Sequence, residues 1–194
     1  MNTLFIDTHD KIISISLLKN NNEIDLIQKE SNQHHSDYVM PMISNVLKKN
    51  NLNVHDITEI IVVNGPGSFT GVRIGVTIAK MLAYTLNIPI KTISSLELYA
   101  ISNKSINNKI VVIHDIKGVF AGLFNDNKLI GDYFYKSNLE FEKYIKDNKL
   151  NDNIIDDNYI DFNKVYEYMK DKQPINPHQV NPIYIKTIEA LKND

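Results

Sequence analysis

An α/β protein that builds the same βββαβα unit twice is the fold this sequence predicts, on three observations. The first is a repeated meander. An apolar run beside an aspartate, a polar turn, a strand, an Asn-rich turn and a further strand occur from Thr3 and again from Lys109. The second is that helix–strand–helix material follows each meander. The third is the correspondence between the halves: Asp7 falls on Asp115, and Asn20 to Asn22 fall near Asn125 to Asn127. Strands that give way to alternating helices and strands require a mixed sheet with helices packed on it. That order, run twice, is the duplicated ribonuclease-H-like fold, the actin-like ATPase architecture, here with a reduced second lobe. The polar stretch Asn103–Lys109 is the predicted boundary between an N-terminal lobe, 1–103, and a C-terminal lobe, 104–194.

Taken in order, Thr3–Asp7 is a short apolar strand and Thr8–Asp10 a turn. Lys11–Lys19 alternates, with Ile13, Ile15 and Leu17 on one side and Ile12, Ser14 and Ser16 on the other, as a strand does. Asn20–Asn22 is a turn signal and Glu23–Lys29 a third strand. Ser36–Asn50 reads as a helix in which Tyr38, Val39, Met40, Met42, Ile43, Val46 and Leu47 cover more than one face. Pro41 removes a helix hydrogen bond, so it is expected to kink this helix or delay its start. Ile60–Val63 is a strand, Val72–Leu86 a helix, Ile90–Ile93 a strand and Ser95–Ile101 a helix. In the second half Ile110–Ile113, Val119–Phe124 and Lys128–Tyr135 are strands. Asn138–Asp147 is a helix, Asn153–Ile155 a short strand and Phe162–Lys172 a helix.

Composition narrows the function. The net charge of −2 gives no electrostatic footprint for nucleic acid, so any work on nucleic acid needs a partner to supply the grip. The absence of cysteine excludes disulfides, thiolate metal sites and cysteine catalysis. The N-terminus lacks the basic and apolar regions of a signal peptide, and no apolar run approaches spanning length, so a cytoplasmic protein with no membrane association is expected.

The chemistry-bearing stretch is Gly65-Pro66-Gly67-Ser68-Phe69-Thr70-Gly71-Val72-Arg73-Ile74-Gly75, between a strand and a helix. A glycine loop at a helix N-terminus can hold an anion. The spacing matches neither a P-loop nor a dinucleotide fingerprint, and Gly65, Gly67 and Gly71 equally permit close backbone packing. Arg73 is the single arginine of the chain. It lies in the first turn of its helix, where the macrodipole disfavours a cation, so an anionic partner is expected: a carboxylate of the same chain, a partner's carboxylate, or a phosphate. Along the helix Gly75, Ala79 and Ala83 form a stripe of small residues, and Ile78 and Leu82 extend the apolar surface. With Val39, Met42, Ile43, Val46 and Leu47 of the first helix they are the candidate partner interface, with packing against the chain's own sheet as the alternative. An actin-like nucleotide site would use Asp7, Thr8 and Asp115. The turn Asp7-Thr8-His9-Asp10 has no glycine, Gly118 comes late after Asp115, and 154–158 lacks a glycine where a nucleoside would lie, so this site is read as degenerate. Of the six histidines, only the adjacent His34 and His35 raise a metal reading, and none has a metal-motif spacing.

These residues resemble the TsaB (YeaZ) family of bacterial proteins needed for the threonylcarbamoyl-adenosine modification of tRNA. The resemblance rests on Gly65–Gly75, Ala79-Lys80, Leu82-Ala83, Pro89 and Ser94-Ser95-Leu96-Glu97. Upstream it takes in Ile6-Asp7-Thr8 and His35-Ser36 with Pro41, and it closes on Pro182-Ile183-Tyr184-Ile185-Lys186, where lysine replaces the family's arginine. It is close over residues 3–101 and slight over 109–175, where the chain is short. The resemblance implies a duplicated actin-like fold without catalysis of its own and without its own cofactor. It implies pairing through the first two helices with a catalytic TsaD-like subunit, homodimer formation when alone, and a TsaE-like ATPase as a third component. Contact with tRNA would come only through the complex, and ATP would sit at an interface with the partner. The rival readings are an actin-like ATP-dependent kinase or ATPase using Asp7 and Asp115, and a peptidase, for which no nucleophile motif is present.

Overall fold

The computed structural model describes residues 1–20, 22–31, 35–103, 107–150, 153–156 and 159–186. The first half contains β1 (Asn2–Asp7), β2 (Ile12–Lys19), β3 (Asn22–Glu30), α1 (His35–Lys49), β4 (Glu59–Val63), α2 (Phe69–Leu86), β5 (Ile90–Ile93) and α3 (Ser95–Ser102). The second contains β6 (Lys109–Asp115), β7 (Gly118–Asn125), β8 (Lys128–Ser137), α4 (Asn138–Asp147), β9 (Ile154–Ile155) and α5 (Phe162–Met169). The sheet orders are β3-β2-β1-β4-β5 and β8-β7-β6-β9. In each sheet the meander is antiparallel, and the strand after the first helix joins the central strand in parallel. The second sheet is thus the first without its fifth strand. This is a duplicated ribonuclease-H-like α/β architecture with a reduced second copy.

β2 is buried on both sides, which its sequence explains. Ile13, Ile15 and Leu17 join Val39, Ile43, Val46, Val76 and Ala79 of α1 and α2 in one core. The opposite face of the sheet, with Phe5, Leu18, Ile61 and Val63, packs on Leu98 and Ile101 of α3 and on Phe162, Val165, Tyr166 and Met169 of α5. The ring of Phe162 stands edge-on to Phe5 at 5.1 Å. The last helix of the second repeat therefore covers the first sheet. The chain after it also returns there: Ile175 donates to Ile90 O at 2.8 Å and Ile183 to Asn64 O at 2.8 Å, and Val180 enters the first core.

α3 lies between the sheets. Leu98 and Ile101 face the first, and Leu96, Tyr99 and Ala100 pack with Val111 and Phe124 of the second. Its N-terminus carries a Ser94–Glu97 capping box. Near its C-terminus the buried Lys109 ammonium donates to Ala100 O at 2.6 Å, where the helix dipole favours a cation. α1 runs from His35 through Pro41 to Lys49, so the proline does not delay its start. Pro41 lies on the exposed side of the helix. α4 closes the second lobe with Ile145 against Ile110, Val112 and Ala121.

Candidate functional site

The turn after β1, the loop before α2, the β6–β7 turn and the closing segment 182–186 surround a cavity of about 580 Å³. Its lining includes His9, Asp10, Gly67, Ser68, Phe69, Asp115 and Lys186. This is where a nucleotide would meet the two phosphate turns of an actin-like fold, and each group that would serve it is committed elsewhere. Asp7 is buried. Its Oδ1 accepts the His9 backbone N–H at 3.0 Å, an Asx turn, and lies 2.6 Å from His9 Nδ1. His9 Nε2 meets the Tyr99 hydroxyl of α3 at 3.0 Å. Burial acts to lower the His9 pKa, but the charge and hydrogen bond of Asp7, helped by Asp10, outweigh it and hold the imidazole above its ordinary value. The Thr8 hydroxyl donates to Gly71 O at 2.7 Å. Across the cavity Asp115 pairs with Lys186 at 2.8 Å and accepts from the Tyr135 hydroxyl at 3.1 Å. Burial acts to raise the Asp115 pKa, but the Lys186 hydrogen bond, the Ile116 N–H and Tyr135 carry it below the usual value.

The glycine loop closes on the Asp7 turn rather than around an open anion site. Ser68 caps α2 through Gly71 N at 3.2 Å and donates its own N–H to His9 O at 2.7 Å. A Cβ on Gly67 would strike His9 O, one on Gly71 would strike Thr8 O, and one on Gly75 would strike Thr8 Oγ1. The three glycines let α2 and its loop lie directly on the strand turn. Gly65 holds a positive φ of 93° at the start of the loop.

Two expectations need correction. Of the anions expected for Arg73, a carboxylate of its own chain is the one this structure bears on. Among the described residues Arg73 has none. Its Nε donates to the Tyr184 hydroxyl at 2.8 Å, and the guanidinium lies 3.6 Å from the Phe69 ring centroid. Aromatic faces supply the negative potential that a carboxylate was expected to bring. Second, Val39, Met42, Ile43, Val46, Leu47, Ala79, Leu82 and Ala83 are buried in the core on the chain's own sheet and Gly75 is buried against Thr8, so they form no outward face of this chain. Ile78 is half-buried. Among the residues α2 turns outward, Phe69, Arg73, Thr77, Met81 and Tyr84 are spaced three to four residues apart, and Met40 of α1 is also exposed. Met81 is 54% exposed and Tyr84 66%. Ring partners from the chain after α5 flank this stripe at both ends, Tyr184 beside Phe69 and His178 beside Tyr84.

Sequence reasoning missed the His9–Tyr99 link and the seat of Arg73. The Asp-x-His spacing could have given the first half of that link. Nothing local ties Tyr99 or Tyr184 to partners so far away in the chain. Among the described residues no cluster of three metal-ligating side chains occurs. His35 Nε2 meets Asp10 O at 2.9 Å, and His34 lies outside the described residues. So do positions 157 and 158 of the segment expected to face a nucleoside, and Asn21 of the first Asn-rich turn.

The fold and site define a protein of the duplicated actin-like class whose would-be phosphate turns are occupied by its own side chains. A family model for TsaD, tRNA N6-adenosine threonylcarbamoyltransferase, matches residues 23–115. The chain is 38% identical to the tRNA threonylcarbamoyladenosine biosynthesis protein TsaB of Bacillus subtilis over 64% of its own length and 55% of that protein. It is 29% identical over 94% of both chains to the uncharacterized protein MG208 of Mycoplasma genitalium. Its fold matches YeaZ from Pseudomonas aeruginosa with a TM-score of 0.77 at 17% identity, covering 94% of this chain and 100% of that one. Over part of its length the chain is similar in sequence to TsaB proteins, and in fold it is similar to YeaZ. Its match spans about half the length of the TsaB proteins it resembles. No described helix is long and apolar enough to cross a membrane.

Proposed function

We propose that this chain is a non-catalytic, cytoplasmic subunit required for threonylcarbamoyl-adenosine at position 37 of tRNA. It pairs with a TsaD-like catalytic subunit and acts by holding that subunit in its working conformation. The observation that carries this reading is the internal use of Asp7, Thr8 and Asp115, the three groups an actin-like nucleotide site would use, each of which is bonded within the chain. The pairing surface is the outward side of α1 and α2, with Met40, Ile78, Met81 and Tyr84. Tyrosine is enriched among the residues that dominate interface energetics, and methionine suits adaptable contact surfaces. Alone, the chain covers this face by twofold self-association. A TsaE-like ATPase joins the assembly, tRNA is reached only through the complex, and any ATP sits at the interface with the partner rather than in this chain's own cleft.

The test is genetic and chemical together. Cells depleted of their own TsaB and supplied with this chain should recover threonylcarbamoyl-adenosine, measured by mass spectrometry of tRNA nucleosides. Robust ATP hydrolysis by the purified chain that disappears in Asp7→Ala would overturn the reading in favour of an actin-like ATPase or kinase.

A further inference from the structure

The cavity between the sheets is left over by the proposed function, which places no ligand in it. Its size, about 580 Å³, is that of small-molecule sites. Its walls are chiefly hydrocarbon and aromatic: Phe69, Val72, Ile113, Ile116, Phe120 and Ile183. Two pairs of its polar groups are matched already, Lys186 to Asp115 and His9 to Asp7. Arg73 does not itself line the cavity but touches two residues that do, Phe69 and Tyr184. Its Nε is used on the Tyr184 hydroxyl, and among the described residues neither terminal nitrogen has a hydrogen-bond acceptor or a counter-ion. The guanidinium carbon lies 3.6 Å from the Phe69 ring centroid.

We propose that this cleft binds an apolar organic acid, its hydrocarbon or aromatic body between Phe69, Phe120 and Ile183 and its carboxylate on the Arg73 guanidinium. A planar fork beside an apolar cavity suits one carboxylate. A polyphosphate needs several cations. The cleft instead carries Asp10 with its like charge, and its one lining lysine is neutralised by Asp115. The proposal does not depend on the tRNA-modification reading.

The probe is 1-anilinonaphthalene-8-sulfonate, an aromatic body with one anionic group, whose fluorescence reports burial. It should bind the folded chain saturably at one site and be displaced by decanoate at about a tenfold or more lower concentration than by decanol. Arg73→Ala should abolish that preference while leaving decanol displacement unchanged. Ile116→Glu, at a side chain 94% exposed and so tolerated by the fold, should weaken both competitors. Absence of saturable binding, equal displacement by decanoate and decanol in the wild type, or insensitivity to both substitutions would each overturn the proposal. So would displacement by ATP more effective than by decanoate, which would mark a polyanion site.

Discussion

His9 is the residue on which the first turn depends. Its raised pKa means that the folded state holds the proton more tightly than the unfolded chain does. The stability from this group is therefore complete below the ordinary histidine value of 6.5 and is lost as pH rises through the folded pKa. Melting temperatures measured from about pH 6 to about pH 9 should fall with rising pH in the wild type more than in His9→Gln. A parallel course for the two would show that His9 is not the group responsible. Asp115 has the opposite sign: its lowered pKa gives stability above 3.8 that disappears as pH falls through the folded value. Gly71 carries a steric rather than electrostatic load. Gly71→Ala puts a methyl group on the Thr8 carbonyl and should cost about 1–3 kcal/mol in denaturant melts. For Arg73 the aromatic seat lowers the expected cost. Arg73→Lys removes the Nε donor but can keep a cation over Phe69, so stability should change by less than about 1 kcal/mol, read from the same melts.

At the level of elements, α2 separates two kinds of apolar residue that its sequence blends. Ala79 is fully buried in the core, so Ala79→Leu should lower the melting temperature through overpacking of about 1–3 kcal/mol and leave pairing of the folded fraction intact. Tyr84→Asp, on the outward stripe, should change stability by about 0.5 kcal/mol or less but weaken self-association, measured by analytical ultracentrifugation. The reverse pattern would return the interface to the inner face. This explains what was legible. Alternation in β2 and the four-residue spacing of Gly75, Ala79 and Ala83 showed that these positions are crowded. Spacing alone does not say by what: Gly75 meets Thr8, while Ala79 and Ala83 meet the first core. The same holds for α5, where Phe162, Val165, Tyr166 and Met169 mark a buried face without naming the sheet it covers. The Asp7–Asp115 correspondence was readable because the repeat is local. The Arg73–Tyr184 bond was not, because it joins residues 111 apart in the chain.

Across the whole molecule, the two repeats are not two independent bodies. α3 is shared between both sheets, α5 covers the first sheet from the second repeat, and the segment 174–183 is bonded to β5 and Asn64. A fragment ending at residue 103 would leave Phe5, Leu18, Ile61 and Val63 without the α5 side chains that cover them. Such a fragment should show no cooperative thermal transition by calorimetry, whereas two autonomous lobes would give it one. Phe162→Ala, made in the second repeat, should destabilise the entire molecule by about 3–5 kcal/mol in a single transition. Two separated transitions would show that the lobes unfold independently.

The crossing of α5 also sets an order on biosynthesis. A chain leaving the ribosome presents all five strands of the first sheet long before Phe162–Met169 emerges. Domains generally fold as units, the N-terminal one first during synthesis, but here the first unit borrows part of its cover from α5 of the second repeat. Until then that side of the sheet has only Leu98 and Ile101 of α3 over Phe5, Leu18, Ile61 and Val63, and during that interval a nascent-chain chaperone would have something to hold.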